Sequence, residues 1–248
     1  MFFLETSNMA CSLPRSTKKE KMKNYLSFGG GVNSIAAYLL GGFDEAVFVD
    51  TGSEYPETYE YIEMFTKKYP LTIIKPDYGI IYDYCWEYKM VPAIYPRWCT
   101  VHFKIKPFAN YVKKPCFKLL GFSTDEAHRA VLSVDDGIEH RFPLLENEIS
   151  RDGCKQIIKD HGLPIPHRSK CFICPFQTVY EWKELRINHQ DLFCKAEQLE
   201  QRNIEYRKSK GKVPMYLSPR KASLRSIVEE DQYKLFEIDE YPPCNCML

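Results

Sequence analysis

Two short stretches carry residue types that do chemistry. The first is Cys171-Phe172-Ile173-Cys174-Pro175, a C-x-x-C followed by proline. Two thiolates at this spacing chelate one zinc ion or occupy two iron corners of a cluster, and a four-coordinate site then draws its other ligands from elsewhere in the chain. Lys170 beside the pair, with Arg97 and Lys104 near another cysteine, favours thiolate over thiol. The second stretch is Ser27-Phe28-Gly29-Gly30-Gly31-Val32-Asn33-Ser34. Three glycines leave backbone N–H groups free to face an anion, and a helix that starts there adds unpaired donors and its positive dipole end. Ser27, Asn33 and Ser34 offer further donors to phosphate oxygens. The Gly-Lys-Ser/Thr ending of a Walker loop is missing, which excludes that nucleotide-binding class.

Other candidates are weaker. Cys11, Cys85, Cys116 and Cys194 are isolated and read as structural, and Cys154 falls on the apolar face of a helix, where a free cysteine packs as a small hydrophobe. The tail Pro242-Pro243-Cys244-Asn245-Cys246 can donate a missing ligand, present a mobile thiol, or simply be a disordered end. The segment Gly162 to Cys171 holds two prolines and three basic residues, which suits an extended chain presenting positive charge to a polyanion such as a nucleic-acid strand; a solvated loop is the default. His128, His161 and His167 are possible bases, and their spacing singles out none of them.

The elements that must position these groups follow from apolar patterning. Tyr25 to Phe28 reads as a strand running into the glycines, and Ile35 to Leu40 as a helix. Ala46 to Val49 is a buried strand ending at Asp50, Pro56 opens a helix with Tyr59, Ile62, Phe65 and Tyr69 at helical spacing, and Leu71 to Ile74 is a third strand. This is β-α-β-α-β, the pattern of a doubly wound parallel sheet. Residues 77–98 are aromatic and irregular, either a lid or a small aromatic core under a long connection. Thr100 to Val112 reads as helix and Phe117 to Leu120 as strand. Ser150 caps a helix whose apolar face is Cys154, Ile157, Ile158 and His161; Thr178 with Glu181 forms a capping box; further helices run from about Asp191 to Arg207 and Lys221 to Glu230. The expected division is a weakly ordered lead-in at 1–22, an α/β domain at 23–145 and a mostly helical, cysteine-containing region at 146–248 packed on it.

A length of 248 residues suffices for a full core, and a net charge of +1 gives no global field toward nucleic acid or membrane. No apolar run is long enough to span a bilayer, and the start lacks a signal-peptide pattern, so the expectation is a cytoplasmic protein with no membrane partner. In a reducing compartment clustered cysteines bind metal or do chemistry rather than form a disulfide framework.

The glycine loop resembles the PP-loop of ATP pyrophosphatases and phosphoadenosine-phosphosulfate (PAPS) reductases, Ser-Gly-Gly-x-Asp-Ser. Three further motifs resemble the PAPS reductases in order and spacing: Asp50-Thr51-Gly52 with Pro56-Glu57-Thr58; Arg97-Trp98-Cys99-Thr100 with Lys104 and Pro107; and Gly121 to Glu126 with Arg129. The resemblance implies a Rossmann-like, PP-loop type sheet. It places Ser27, Gly29, Gly30, Gly31, Asn33 and Ser34 on phosphate, Asp50 and Thr51 near the adenosine, and Glu126 and Arg129 on the far wall, although a surface ion pair is the plain alternative for the last two. It also makes Cys99 the third thiol beside Cys171 and Cys174, holding a [4Fe–4S] cluster or, alternatively, zinc, with the fourth ligand open. The chain departs from the pattern at Gly29, Val32, Asn33 and Ser123, where the family carries serine, lysine, aspartate and arginine; Asn33 bears on magnesium use, and the lost cations bear on substrate. It also lacks the paired cysteines of cluster-bearing sulfonucleotide reductases and the reductases' C-terminal Glu-Cys-Gly-Leu-His.

The implied function is an enzyme that binds ATP or a related adenine nucleotide, with Mg²⁺ as a possible companion. It would either adenylate a nucleic-acid or protein acceptor by α–β phosphate cleavage or transfer sulfur at the cysteines. The alternatives are a sulfonucleotide reductase using a tail thiol and a non-catalytic nucleotide-binding subunit with structural zinc.

Overall fold

The computed structural model describes residues 21–132 and 134–230. Most of the expected lead-in, with Cys11, and the tail cysteines Cys244 and Cys246 lie outside the described residues. The elements run β1 (Lys23–Phe28), α1 (Val32–Leu40), β2 (Glu45–Val49), α2 (Pro56–Thr66), β3 (Thr72–Ile74), α3 (Ile81–Glu87), α4 (Trp98–Thr100) and α5 (Lys106–Tyr111). They continue with β4 (Cys116–Leu120), β5 (Val134–Asp135), β6 (Ile138–Arg141), α6 (Pro143–Glu146), α7 (Arg151–Asp160), α8 (Val179–Asn188), α9 (Gln190–Ser209) and α10 (Leu224–Glu230).

The strands form one sheet in the order β3-β2-β1-β4-β6-β5. The first five are parallel and β5 pairs antiparallel at the edge. Alternation along the strands sorts the core. Leu26, Phe28, Ala46, Phe48 and Leu119 face α1, α2 and α7 in one buried cluster. Tyr25, Val47, Val49, Cys116 and Ile138 face Phe108 of α5 in another. Helices thus cover both faces of a parallel sheet, the doubly wound α/β architecture expected from the strand and helix periods. Its chain order reverses between β1 and β4, so the crevice beyond the carboxyl ends of these two strands is the position where such sheets bind ligands.

A second core joins the helical region to the sheet. Trp182 and Leu185 of α8, Phe193 and Leu199 of α9, and Leu224 and Ile227 of α10 pack with Tyr55, Cys85, Phe103 and Ile173. The cap expectations are met. The Ser150 hydroxyl accepts from Gly153 N at 3.2 Å, and Thr178 with Glu181 forms the full capping box. Cys154 is fully buried on α1, whereas His161, the C-cap of α7, is exposed with its Nδ1 2.8 Å from Ile157 O.

Two segments differ from expectation. Residues 77–98 contain a helix, α3, whose Ile81 and Cys85 are buried while Tyr78, Trp86, Tyr88 and Tyr95 stay exposed. The expected helix over 100–112 begins at Trp98 and carries a π-helical stretch, Val101–Ile105, between α4 and α5. Pro107 supplies the reason. It has no N–H for the carbonyl four residues earlier, and the ladder shifts so that Lys106 N–H bonds to Val101 O.

Candidate functional site

The glycine loop sits at the head of β1 with Gly31 as the N-cap of α1. Gly30 has φ +72°, and a Cβ there would lie 3.2 Å from Thr58 Cγ2, so both handedness and space call for glycine. Gly31 caps without a side chain, which leaves the first α1 amides facing the crevice. Over this loop passes the basic segment 167–170. Ser169 Oγ donates to Gly29 O at 2.5 Å, and one residue on, Lys170 O accepts from Tyr55 N at 3.1 Å. Cys171 then bridges antiparallel to Glu54, and Phe172 N bonds Ser53 O at 2.9 Å. One extended stretch therefore roofs the glycine loop and delivers the C-x-x-C to the end of β2. A salt link anchors it: Glu181 takes Lys170 and Arg168, each at 2.8 Å.

The far wall comes from β4. Gly121 passes so close to α1 that a Cβ would stand 2.9 Å from Asn33 O. Beyond it, Asn33 Nδ2 donates to Glu126 Oε2 at 2.7 Å and Ser123 Oγ at 3.2 Å, while Asn33 Oδ1 accepts from Arg151 Nη1 at 2.9 Å. Arg129 closes the set by an ion pair with Glu126, and its residue surface is only 7 % exposed, which removes the surface-pair alternative. Ser34 donates to Gly31 O at 2.9 Å. The Asn33 and Ser34 side chains thus bond within the protein, and the first α1 amides are left without a side-chain cap.

The third wall is the cysteine pocket. Cys99, Cys171 and Cys174 line one cavity of about 30 Å³ with Thr51, Phe103 and Lys104. Against the thiolates expected from the nearby cations, burial pushes the Cys174 thiol up to about 11 and the Cys171 and Cys99 thiols up as well, and Lys170 is taken by Glu181. Beside them Glu54, with a side chain 1 % exposed, pairs with Lys104 at 3.2 Å. Burial alone would lower Lys104, but the Glu54 carboxylate outweighs it and holds the ammonium above its usual value. Cys171 Sγ lies 3.5 Å from Glu54 Oε1 and 3.4 Å from Thr51 Oγ1, and Glu54 Oε2 is buried with no partner. Among the described residues no group of three or more His, Cys, Asp or Glu is arranged, as it stands, to hold a metal ion. Burial lowers the Arg97 guanidinium, the Arg129 charge adds to that while Cys99 and Cys174 oppose it, and its Nε is buried without a partner.

The structure therefore brings Gly29, Gly30, Gly31, Asn33, Glu126 and Arg129 to one crevice and the three cysteines to its neighbour, with Ser27 at the end of β1. Thr51 faces the cysteine cavity, and Asp50 is held by Tyr59 and Gly52 at 2.8 Å each. His128, His161 and His167 are all exposed, and only the His167 ring stacks on a site-lining residue, Tyr55. Three contributors escaped sequence reading. Glu54 lies between the Asp50-Thr51-Gly52 and Pro56-Glu57-Thr58 stretches, Arg151 opens α7, and Ser169 sits in a loop whose destination no local pattern reveals. No helix among the described residues is long and apolar enough to cross a membrane.

No family model matches the chain. The uncharacterized protein MJ0973 of Methanocaldococcus jannaschii is 35% identical over 202 residues, covering 71% of this chain and 47% of that protein. A second uncharacterized protein of the same organism, MJ0066, is 29% identical over 102 residues, covering 38% of this chain and 21% of that protein. The match thus spans less than half the length of either relative. Among solved structures the chain is similar to the crystal structure of PAPS reductase from Candida auris in its phosphate complex, with 18% identity, a TM-score of 0.45, and coverage of 59% of this chain and 76% of that one.

Proposed function

We propose that the chain is a PP-loop enzyme of PAPS reductase-like type that binds ATP or a related adenine nucleotide and acts on a nucleic-acid or protein acceptor. The observation that carries this reading is the continuity of the roof: Ser169 closes on Gly29, and two residues later Cys171 enters the cysteine cavity. A nucleotide on the α1 amides would find the buried Arg129 and Arg97 guanidiniums as candidate partners for its phosphates. In the adenylation reading an acceptor oxygen attacks the α-phosphorus and the bond to pyrophosphate breaks. The loop amides take up charge on the leaving group, and the buried guanidiniums hold the phosphoryl oxygens in place. Mg²⁺, if used, would have to come with the nucleotide, since Asn33 offers no carboxylate and Glu126 is already committed to Arg129 and Asn33.

The cysteines are proposed as thiol ligands. Three soft donors on one cavity suit zinc or iron. Such a centre would supply the Lewis-acid or sulfur-carrying chemistry of the second reading, sulfur transfer. Cys99, Cys171 and Cys174 would hold it, and Lys104 would balance the thiolate charge.

Anaerobically purified protein and its Cys171→Ala variant test both halves. Binding of ATP, ADP and PAPS is measured by calorimetry, and iron, sulfide and zinc by elemental analysis. The reading expects micromolar adenine-nucleotide binding in both proteins and loss of metal in the variant. Pyrophosphate release marks adenylation, and thiol-dependent sulfite release marks a sulfonucleotide reductase. Zinc with no turnover leaves a nucleotide-binding subunit. Absence of nucleotide binding at millimolar concentration ends the reading.

A further inference from the structure

Most cations around the glycine loop are already neutralised. Arg129 pairs with Glu126, Lys170 and Arg168 share Glu181, and Lys104 pairs with Glu54. The loop itself, Ser27 to Ser34, carries no basic residue. Arg151 stands apart from these. It opens α7, is half-buried, and has no carboxylate partner among the described residues. Asp125 accepts from its backbone N–H at 2.5 Å and forms no ion pair with the guanidinium. Nη1 donates to Asn33 Oδ1 at 2.9 Å, and the guanidinium makes no other hydrogen bond to the described residues.

Packing fixes where this cation sits. Cys154 and Ile158 of α7 share one buried cluster with Ile35 and Ala36 of α1. Thr124 N bonds Ile149 O at 3.0 Å, which ties the start of α7 to the segment after β4. The two helices therefore begin side by side, joined by the bond from Arg151 to Asn33, the second residue of α1. A link to the neutral Asn33 oxygen needs only a neutral donor. A guanidinium brings a full charge and five donors, of which the structure engages one.

We propose that Arg151 binds phosphate at the glycine-loop crevice and makes the site prefer a nucleoside di- or triphosphate to a monophosphate. The inference rests on the proposed nucleotide site and names the residue that reads its phosphate chain. The uncapped first amides of α1 take one phosphate. The Asn33 side chain stands between those amides and the guanidinium, so Arg151 serves the next phosphate along the chain. Leaving Asn33 gives up one bond to a neutral oxygen, and the planar fork gains charge-assisted bonds to two phosphate oxygens.

The test is calorimetry of the full chain and its Arg151→Gln and Arg151→Lys variants with ATP, ADP, AMP and inorganic tripolyphosphate. Arg151→Gln keeps a donor for Asn33 and removes the charge. It is expected to weaken ATP, ADP and tripolyphosphate by roughly 10- to 100-fold and AMP by less than about 2-fold. Arg151→Lys restores the charge without the fork and is expected to recover part of that loss. Thermal melting checks that each variant is folded; where Arg151→Gln is not, Arg151→Lys carries the comparison, with a smaller loss confined to the same three ligands. An equal loss for ATP and AMP, or no loss for ATP, overturns the proposal and leaves Arg151 as a link between helices. Tripolyphosphate separates the two readings. Its weakening in Arg151→Gln supports the assignment even where no adenine nucleotide binds, whereas ATP binding that is equal in wild type and Arg151→Gln keeps the nucleotide site and removes Arg151 from it.

Discussion

Asn33 shows what one atom decides. Its amide nitrogen faces the Glu126 carboxylate at 2.7 Å and its oxygen faces Arg151 at 2.9 Å, so the side chain reads one neighbour's negative charge and the other's positive charge. Asn33→Asp sets two carboxylates against each other. The expected result is a loss of about 1–3 kcal/mol at pH 7, smaller at pH 5 where the pair can share a proton; urea denaturation at both pH values checks it. An unchanged midpoint for Asn33→Asp at pH 7 would refute the charge argument. Gly121 is decided by contact. A methyl group 2.9 Å from Asn33 O must push α1 and its amides away from β4. Gly121→Ala is expected to cost about 1–3 kcal/mol and to weaken nucleotide binding more than a surface substitution of equal stability cost. Calorimetry beside thermal melting separates the two effects. The residue types around Asn33 were legible in the chain, but that Asn33, Glu126 and Arg151 meet was not, since nothing local links them.

At the scale of elements, α8 positions the site from a distance. Thr178 caps it, and Glu181 serves the capping box while holding Lys170 and Arg168 under the roof. Thr178→Ala removes only the cap and is expected to cost about 1 kcal/mol. Glu181→Gln strands the buried Lys170 cation and is expected to cost about 3–5 kcal/mol, with nucleotide affinity falling as the 167–171 segment loosens. Equal effects of the two substitutions would deny Glu181 its anchoring role. Burial pushes the Glu181 carboxyl up, yet Lys170 and Arg168 prevail and hold it below its ordinary 4.5. Its stabilisation is therefore present above pH 4.5 and is lost as pH falls through the lowered folded value. The cap was readable because it is a four-residue pattern; the anchor was not, because its partners come from a separate loop.

Across the whole molecule, the sheet carries an unusual burden. Lys118, on central strand β4, is 5 % exposed, and burial alone lowers its ammonium to about 8 from 10.5. Its Nζ lies 4.8 Å over the Phe108 ring. Below pH 8 both folded and unfolded chains hold the proton and the full penalty is present; above 10.5 neither does. Between these values the unfolded chain binds more protons, so this group's contribution rises with pH. Buried thiols such as Cys154, raised to about 11, act in the opposite sense above their usual 9, so the comparison is wild type against Lys118→Met. The variant is expected to be more stable at pH 7 by on the order of 3 kcal/mol, with the difference closing by pH 10.5. Denaturant midpoints across that range check it, and a pH-independent difference would point to packing alone.

The sequence by itself determined the strand–loop–helix of the glycine loop, the β-α-β-α-β run, the caps at Ser150 and Thr178, and the pairing of Cys171 with Cys174 along the chain. All of these are local: they follow from side-chain period, φ freedom and donor placement within a few residues. Tertiary structure alone decided that Cys99 lines the same cavity as that pair, that Ser169 lies on Gly29, that Glu54 and Lys104 flank the thiols, and that Trp86 of α3 meets Arg202 of α9. Those meetings depend on the order of strands in the sheet and on two cores packing together. Many segments with the same local patterns satisfy those constraints in other ways, and only the summed burial of Leu26, Ile35, Trp182 and Leu199 with their neighbours selects this arrangement.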